Sequence, residues 1–428
     1  MKNTILKNAN VFDGKPESAI LNNVDILIEN GLIKKIGKDI EDKSAKVVDL
    51  SGKYVIPGLI NLHSHIPGSG RITKKQVAKR TGLVSFVVNT HLGRAAGLKI
   101  CEAHAKQNLY SGVTTVRLVG GIDNFDAILR DKINSGKAIG PRLIVANYAV
   151  GPVHSHMEGT VSVSAKTNEE AVAYVEKQIA KGADFIKLMI TGGILDTKEK
   201  GHIGILKMPA DMVKACCGYA HSKGLKVAAH VEGEEGMIVA IENGVDTIEH
   251  GSYADEEHLK MFHDRGGVIV LTLSPAIPLV KLSPGVTGYS EEVKYNSQVF
   301  MDKMVENALT CLKMGIPVGL GNDAGCPLVP HYDFWREPVY FHEYVPGITN
   351  EFAIYSATLG NAKILGLDQT IGSVEEGKEA DMVVYDANPL DDLGVLRDPY
   401  VTIKHGRIYT KKASKYSSVE KRMSLLDC

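Results

Sequence analysis

Apolar positions along this chain change their period twice. Over the first fifty-odd residues they come in short β-rich runs: Thr4-Ile5-Leu6, Val24–Ile28, Leu32–Gly37 and Val47–Leu50. Gly14, Gly31 and Gly52 fall between or after these runs, where turns are wanted. The far end repeats the pattern in Ala380–Tyr385 and Tyr400–His405, with Asn388-Pro389 between them. The middle reads differently. Short apolar runs at Leu59–His63, Val113–Leu118, Leu143–Asn147, Phe185–Ile190, Val227–His230, Thr247–His250, Val268–Leu273 and Val318–Gly321 alternate with longer amphipathic stretches. Helical patterns such as Asn168–Lys181, Met208–Lys223, Glu234–Asn243 and Gln298–Lys313 lie between them. Eight such units over about 300 residues are what a (β/α)8 barrel requires. A doubly wound open sheet is the alternative, but no Gly-rich phosphate-binding fingerprint follows the first strand.

The expected fold class is therefore α/β. A TIM barrel spans residues 57–365, and a small β-sandwich domain is assembled from both chain termini, residues 1–56 and 366–428. The long, Lys/Arg-rich segment Ile66–Gly97 after the first barrel strand is expected to hold a loop over the barrel mouth.

Composition narrows the picture. The 428 residues carry 49 Lys plus Arg against 50 Asp plus Glu, a net charge of -1 that calls for no nucleic-acid or anionic-membrane partner. The cysteines at 101, 216, 217, 311, 326 and 428 form no C-x-x-C and no paired framework, as reduced thiols in a cytosolic protein would stand. The N-terminus meets Asn8, Asn10 and Asp13 instead of an apolar signal run. The longest apolar stretch, Val268–Val280, is broken by Pro275 and Pro278 and falls short of the ~20 residues that span a bilayer. A cytoplasmic location is expected, with a small-molecule substrate as partner and association into a homo-oligomer left open.

Metal-ligand residue types recur at strand ends. His63 and His65 stand two apart at the end of an apolar strand, so they point to one face and can reach one ion. His230, His250 and Asp323 each close or follow a later apolar run, at the end where barrel enzymes place their sites. Lys187 lies inside the apolar run Phe185–Ile190, where lysine is seldom buried unpartnered. Either it pairs with a buried carboxylate, or desolvation neutralises the amine and lets it react with carbon dioxide. The resulting carbamate has two oxygens able to bridge two metals. Four histidines, one carbamate and one aspartate would then make a six-ligand dinuclear site.

Pro57-Gly58 followed by His63-x-His65, Lys187, His230, Glu249-His250-Gly251 and Gly321-Asn322-Asp323 resembles the amidohydrolase superfamily. The nearest likeness is to its prolidase-like and Xaa-Arg/Lys carboxypeptidase branch, near the imidazolonepropionase-related proteins. Leu359–Leu367 and Gly372–Asp381 are similar too, so the likeness spans nearly the whole chain. It implies hydrolysis of amide bonds, in dipeptides or N-acyl amino acids, by a hydroxide bridging two divalent ions, with zinc the expected metal. Carried over residue by residue, His63 and His65 would hold one ion and His230 and His250 the other. Carboxylated Lys187 would bridge them. Asp323 would ligate a metal and serve as general base and then acid.

Two departures stand out. The branch commonly has His-Val-Tyr after the fifth strand, where this chain has His230-Val231-Glu232. Glu232 is therefore a candidate substrate contact that would favour a cationic group. The branch also often has Arg-Asp after the second strand, where Arg117-Leu118 stands here. His154 and His156, after the third strand, are both candidates for stabilising the developing oxyanion. Other readings are a mononuclear deaminase, a non-catalytic binding barrel, and a lactonase or phosphotriesterase-like hydrolase on the same site. The deaminase is disfavoured because the residue three after His230 is Gly233, not Glu.

Overall fold

A computed structural model describes residues 3–72, 77–196 and 199–426. The barrel strands are Leu59–Ser64 (β1), Val113–Leu118 (β2), Arg142–Val145 (β3), Ile186–Met189 (β4), Val227–Val231 (β5), Thr247–His250 (β6), Val268–Leu271 (β7) and Val318–Leu320 (β8). All pair in parallel in chain order within two runs, β1–β3 and β4–β8. Two seams close the circle. At one, the Asp323 N–H donates to the His63 carbonyl at 2.9 Å and the His65 N–H to the Ala324 carbonyl at 2.7 Å. At the other, the Asp184 N–H donates to the Val145 carbonyl at 2.7 Å, and the Asp184 carboxylate accepts from the Val145 N–H at 2.9 Å. Apart from β3, the strands are buried along their length, which is why they read as apolar runs and not as alternation.

The third barrel position is interrupted. After β3 the chain leaves the sheet at Asn147, in the left-handed region (φ 61°), and rejoins it as Ala149–Pro152, which meets β4 through Val150 and Leu188. Ser162–Ala165 then adds a parallel strand outside it. Neither short strand is legible as an apolar run.

Both chain ends enter one eight-stranded sheet. Its N-terminal strands are Thr4–Val11, Leu21–Glu29, Leu32–Gly37, Lys46–Asp49 and Tyr54–Pro57; Met382–Tyr385, Val401–Lys404 and Arg407–Tyr409 come from the other end. Tyr54–Pro57 is the junction, parallel to Thr4–Val11 and antiparallel to Met382–Tyr385. The sheet folds back on itself. Gly31 in one turn packs so closely on the His405 ring that a Cβ there would come within 2.7 Å of it, and Leu6, Ile26, Ile33, Met382 and Ile403 fill the enclosed core.

Two regions differ from expectation. The segment after β1 holds helices Val77–Asn89 and His91–Tyr110 in place of a loop; residues 73–76 of that segment lie outside the described residues. Thr90 caps the second helix by accepting from the Gly93 N–H. At the other end, the tail is not wholly part of the β unit. It returns to the barrel as a helix, Ser417–Met423, whose Val419 and Met423 pack on Leu282 and Leu328 beyond β7 and β8. Among the described residues, no helix is long and apolar enough to cross a membrane. Cys101, Cys216, Cys217, Cys311 and Cys326 are free thiols; Cys428 lies outside the described residues.

Candidate metal centre

The C-terminal ends of β1, β4, β5, β6 and β8 converge. His63 is the penultimate residue of β1 and His65 follows the strand; Lys187 lies in β4, His230 in β5, His250 ends β6 and Asp323 follows β8. The His63 and His250 ring centroids are 4.8 Å apart, and those of His230 and His250 are 4.7 Å apart. Asp323 Oδ1 stands 3.4 Å from His63 Nε2 and 3.3 Å from His65 Nε2. His63, His250 and Asp323 offer ligand atoms all within 4.8 Å of one another, and so do His230, Glu232 and His250.

Local backbone geometry makes this convergence possible. His250 and Asp323 both adopt left-handed backbone (φ 68° and 55°), a strained state for such residues that turns the chain sharply as each strand ends. Gly321 permits β8 to lie against β1, because a Cβ there would meet His63 Cβ at 2.4 Å. Buried Asn61 and Asn322 tie the same two strands: the Asn61 Nδ2–H donates to Asn322 Oδ1 at 2.7 Å.

Three of the four imidazoles are oriented by a bond on Nδ1, which leaves Nε2 facing the centre. His63 Nδ1 meets Glu249 Oε2 at 2.7 Å, His65 Nδ1 meets the Gly120 carbonyl at 2.8 Å, and His250 Nδ1 meets Thr272 Oγ1 at 2.6 Å. Such outer contacts fix tautomer and ring angle for metal binding. Glu249 is itself held by Arg117, whose Nη2–H donates to Oε1 at 2.6 Å, and by the Thr247 hydroxyl at 3.0 Å. Arg117 is thus the buried counter-charge of a carboxylate that orients a candidate ligand.

The electrostatics suit cation binding. Burial pushes His63 down to about 4 and holds His230 and His250 well below the usual imidazole range, so all three are neutral at pH 7 and able to bind metal. Burial alone would raise the Asp323 carboxyl, but His63, His65 and His250 hold it well below its ordinary range. Lys187 is 1% exposed; burial pulls its ammonium down to about 8, against the opposing pull of Glu249. Lys187 Nζ, His230 Nε2 and Asp323 Oδ1 are buried without a hydrogen-bond partner. Three orphaned polar atoms facing one volume are what a cation-binding centre leaves when only protein atoms are counted.

A narrow cleft of about 50 Å³, open to solvent, lies over this cluster. Ile194, Leu195, Pro275, Ala276, Leu279 and Phe300 wall it, with His156, Glu232 and Cys326 among the polar lining. The His156 ring stacks on His230 (centroids 4.4 Å apart, planes 3° apart), and its Nδ1 meets Asp196 Oδ2 at 2.6 Å. His154 is not brought to the site. Its backbone is left-handed (φ 64°), Glu158 accepts from its N–H at 2.9 Å, and its side chain is 87% exposed. Glu232 is buried on the cleft lining: its Oε2 accepts from the Ile194 N–H at 2.6 Å, and burial pushes the carboxyl well above its usual range. Sequence reasoning missed Thr272, Gly120, Asp196 and Cys326. None carries a spacing signal, because each acts through the fold and not through a motif.

The sequence pattern of the amidohydrolase family matches residues 54–410. Among curated proteins, the chain is 25% identical over 418 residues to ochratoxinase of Aspergillus niger, covering 90% of this chain and 81% of that one. Among solved structures, it is 30% identical to a protein of Bifidobacterium longum named as a prolidase, with a TM-score of 0.86 and coverage of 100% and 99%. It is 28% identical to a Xaa-Pro dipeptidase with methionine bound in its active site, with a TM-score of 0.79 and coverage of 96% and 100%.

Proposed function

The chain belongs to the amidohydrolase family and is a hydrolase, and from that premise we propose that it is a dinuclear metal-dependent enzyme cleaving the amide bond of dipeptides or N-acyl amino acids. The observation that carries this reading is the convergence of four histidines, Asp323 and a buried, partnerless Lys187 at one mouth of the barrel. The names of the prolidase and dipeptidase neighbours support an amide substrate. Residues 57–365 form the catalytic unit on this reading, and residues 1–56 with 366–428 its β-rich support.

The donor set fits the ions. Imidazole nitrogens and carboxylate oxygens suit zinc. His63 and His65 would hold one ion, His230 and His250 the other, with Lys187 as its carbamate shared between them and Asp323 completing the set. Carboxylation forms a bond from the neutral Nζ to the carbon of carbon dioxide and releases one proton. When bound, the pair of ions supplies Lewis acidity, lowering the pKa of water and polarising the scissile carbonyl.

The remaining work falls to side chains. Asp323 takes the proton of the attacking water and returns it to the leaving amine. His156, held by Asp196 and stacked on His230, sits where it can donate from Nε2 to the carbonyl oxygen as charge develops. The apolar wall from Ile194 to Phe300 excludes water and takes a hydrophobic part of the substrate.

The test is to assay the purified protein against a library of dipeptides and N-acyl amino acids, beside lactones, phosphotriesters and aminopurines. Turnover confined to amides supports the reading. Turnover of a lactone, phosphotriester or aminated base with none of the amides would overturn it.

A further inference from the structure

Glu232 stands where the related branch commonly carries tyrosine, and its two oxygens do different things. Oε2 accepts from the Ile194 backbone N–H at 2.6 Å. Oε1 lies 3.8 Å from His230 Nε2, on the lining of the cleft. His230 Nε2 is itself buried and has no hydrogen-bond partner. His230, Glu232 and His250 form one of the two groups of ligand atoms that lie within 4.8 Å of one another. Two atoms bound to one zinc at about 2.1 Å each can be at most about 4.2 Å apart, so a 3.8 Å separation fits a shared ion.

We propose that Glu232 Oε1 is an additional protein ligand to the ion held by His230 and His250. The inference rests on the dinuclear reading above. Charge favours it too. Two divalent ions bring four positive charges, against one negative charge each from a Lys187 carbamate and Asp323. A carboxylate at position 232 removes one of the two remaining, which a tyrosine hydroxyl could not do while neutral. A side chain more than nine-tenths buried, with one oxygen anchored by a backbone N–H, is also held in place before the ion arrives, which lowers the cost of binding. The same side chain joins the metal centre to the Gly193–Asp196 loop, because Oε2 stays on Ile194 while Oε1 is on the ion.

The experiment is metal competition against a chromogenic chelator, comparing wild type with E232Q, which keeps the shape and leaves Oε1 neutral. Wild type is expected to bind two zinc ions per chain. In E232Q the affinity of one of them falls by about 10- to 100-fold while the other is unchanged. With cobalt(II) in place of zinc, the visible absorption of one of the two sites shifts. Matched far-UV circular dichroism of the metal-free proteins controls for folding. If wild type binds two ions and E232Q binds both with unchanged affinity and spectrum, Glu232 is no ligand and the dinuclear reading stands. If wild type binds no ion, both ideas fall together.

Discussion

Replacing Glu249 by Gln probes the centre without touching a proposed metal ligand. The carboxylate is fully buried and accepts from three donors: Arg117 at 2.6 Å, Thr247 at 3.0 Å and His63 at 2.7 Å. Burial opposes its charge, yet Arg117, Lys187 and His63 hold it far below the ordinary glutamate range. The variant leaves the Arg117 guanidinium buried without its counter-ion, a change that costs about 3–5 kcal/mol when one partner of such a pair is removed. A glutamine has one acceptor end. If that end keeps Arg117 and Thr247, the amide NH2 faces His63 Nδ1. His63 must then accept at Nδ1 and carry its proton on Nε2, the atom that would bind metal. Affinity for the ion at His63 should therefore fall by about 10- to 100-fold. Urea titration of the metal-free variant should show a loss of about 3 kcal/mol, and chelator competition should show the weakened ion. E249Q with wild-type stability and wild-type metal affinity would refute both the buried-pair energetics and the tautomer argument.

Three further outcomes follow from the same contacts. Because burial pulls Lys187 down to about 8, the folded metal-free chain releases this proton before the unfolded chain does at 10.5. Stability of the metal-free protein should thus rise with pH across that window, and zinc reconstitution at equal dissolved carbon dioxide should be about tenfold faster at pH 9 than at pH 7, in step with the neutral amine; a flat profile in both measurements would contradict this. Asn361 donates to the Ile60 and Leu320 carbonyls at 2.7 and 2.9 Å and accepts from the Leu320 N–H at 3.0 Å, all buried, so N361A should lose about 3 kcal/mol by urea titration. H154A should keep kcat/KM within about twofold, whereas H156A should lose about 100-fold, mostly in kcat, because only His156 lines the cleft.

Much of the barrel was legible because a parallel strand buried on both faces leaves an unbroken apolar run. The runs at Val113–Leu118 and Thr247–His250 coincide with β2 and β6. Ala149–Pro152 and Ser162–Ala165 escaped because glycine, proline and serine carry no such run, and their pairing depends on the kink at Asn147. The Ser417–Met423 helix escaped because its polar sequence is stabilised by two apolar contacts, Val419 and Met423, that only the fold supplies. At the centre, the proximity of His63, His250 and Asp323 was legible because each of these ligand-type residues stands at or just after the end of an apolar strand. His154 and His156 could not be separated by sequence. Their difference lies in one left-handed residue and one acceptor, Glu158, that turn the first outward while the second stacks on His230.

Metal content of the purified protein bears most directly on the central claim. Inductively coupled plasma mass spectrometry of wild type and K187A, prepared side by side, should give two divalent ions per wild-type chain and fewer than one in the variant, with activity lost in proportion. A K187A protein that holds two ions and hydrolyses amides at the wild-type rate would contradict the bridging lysine and the centre built around it.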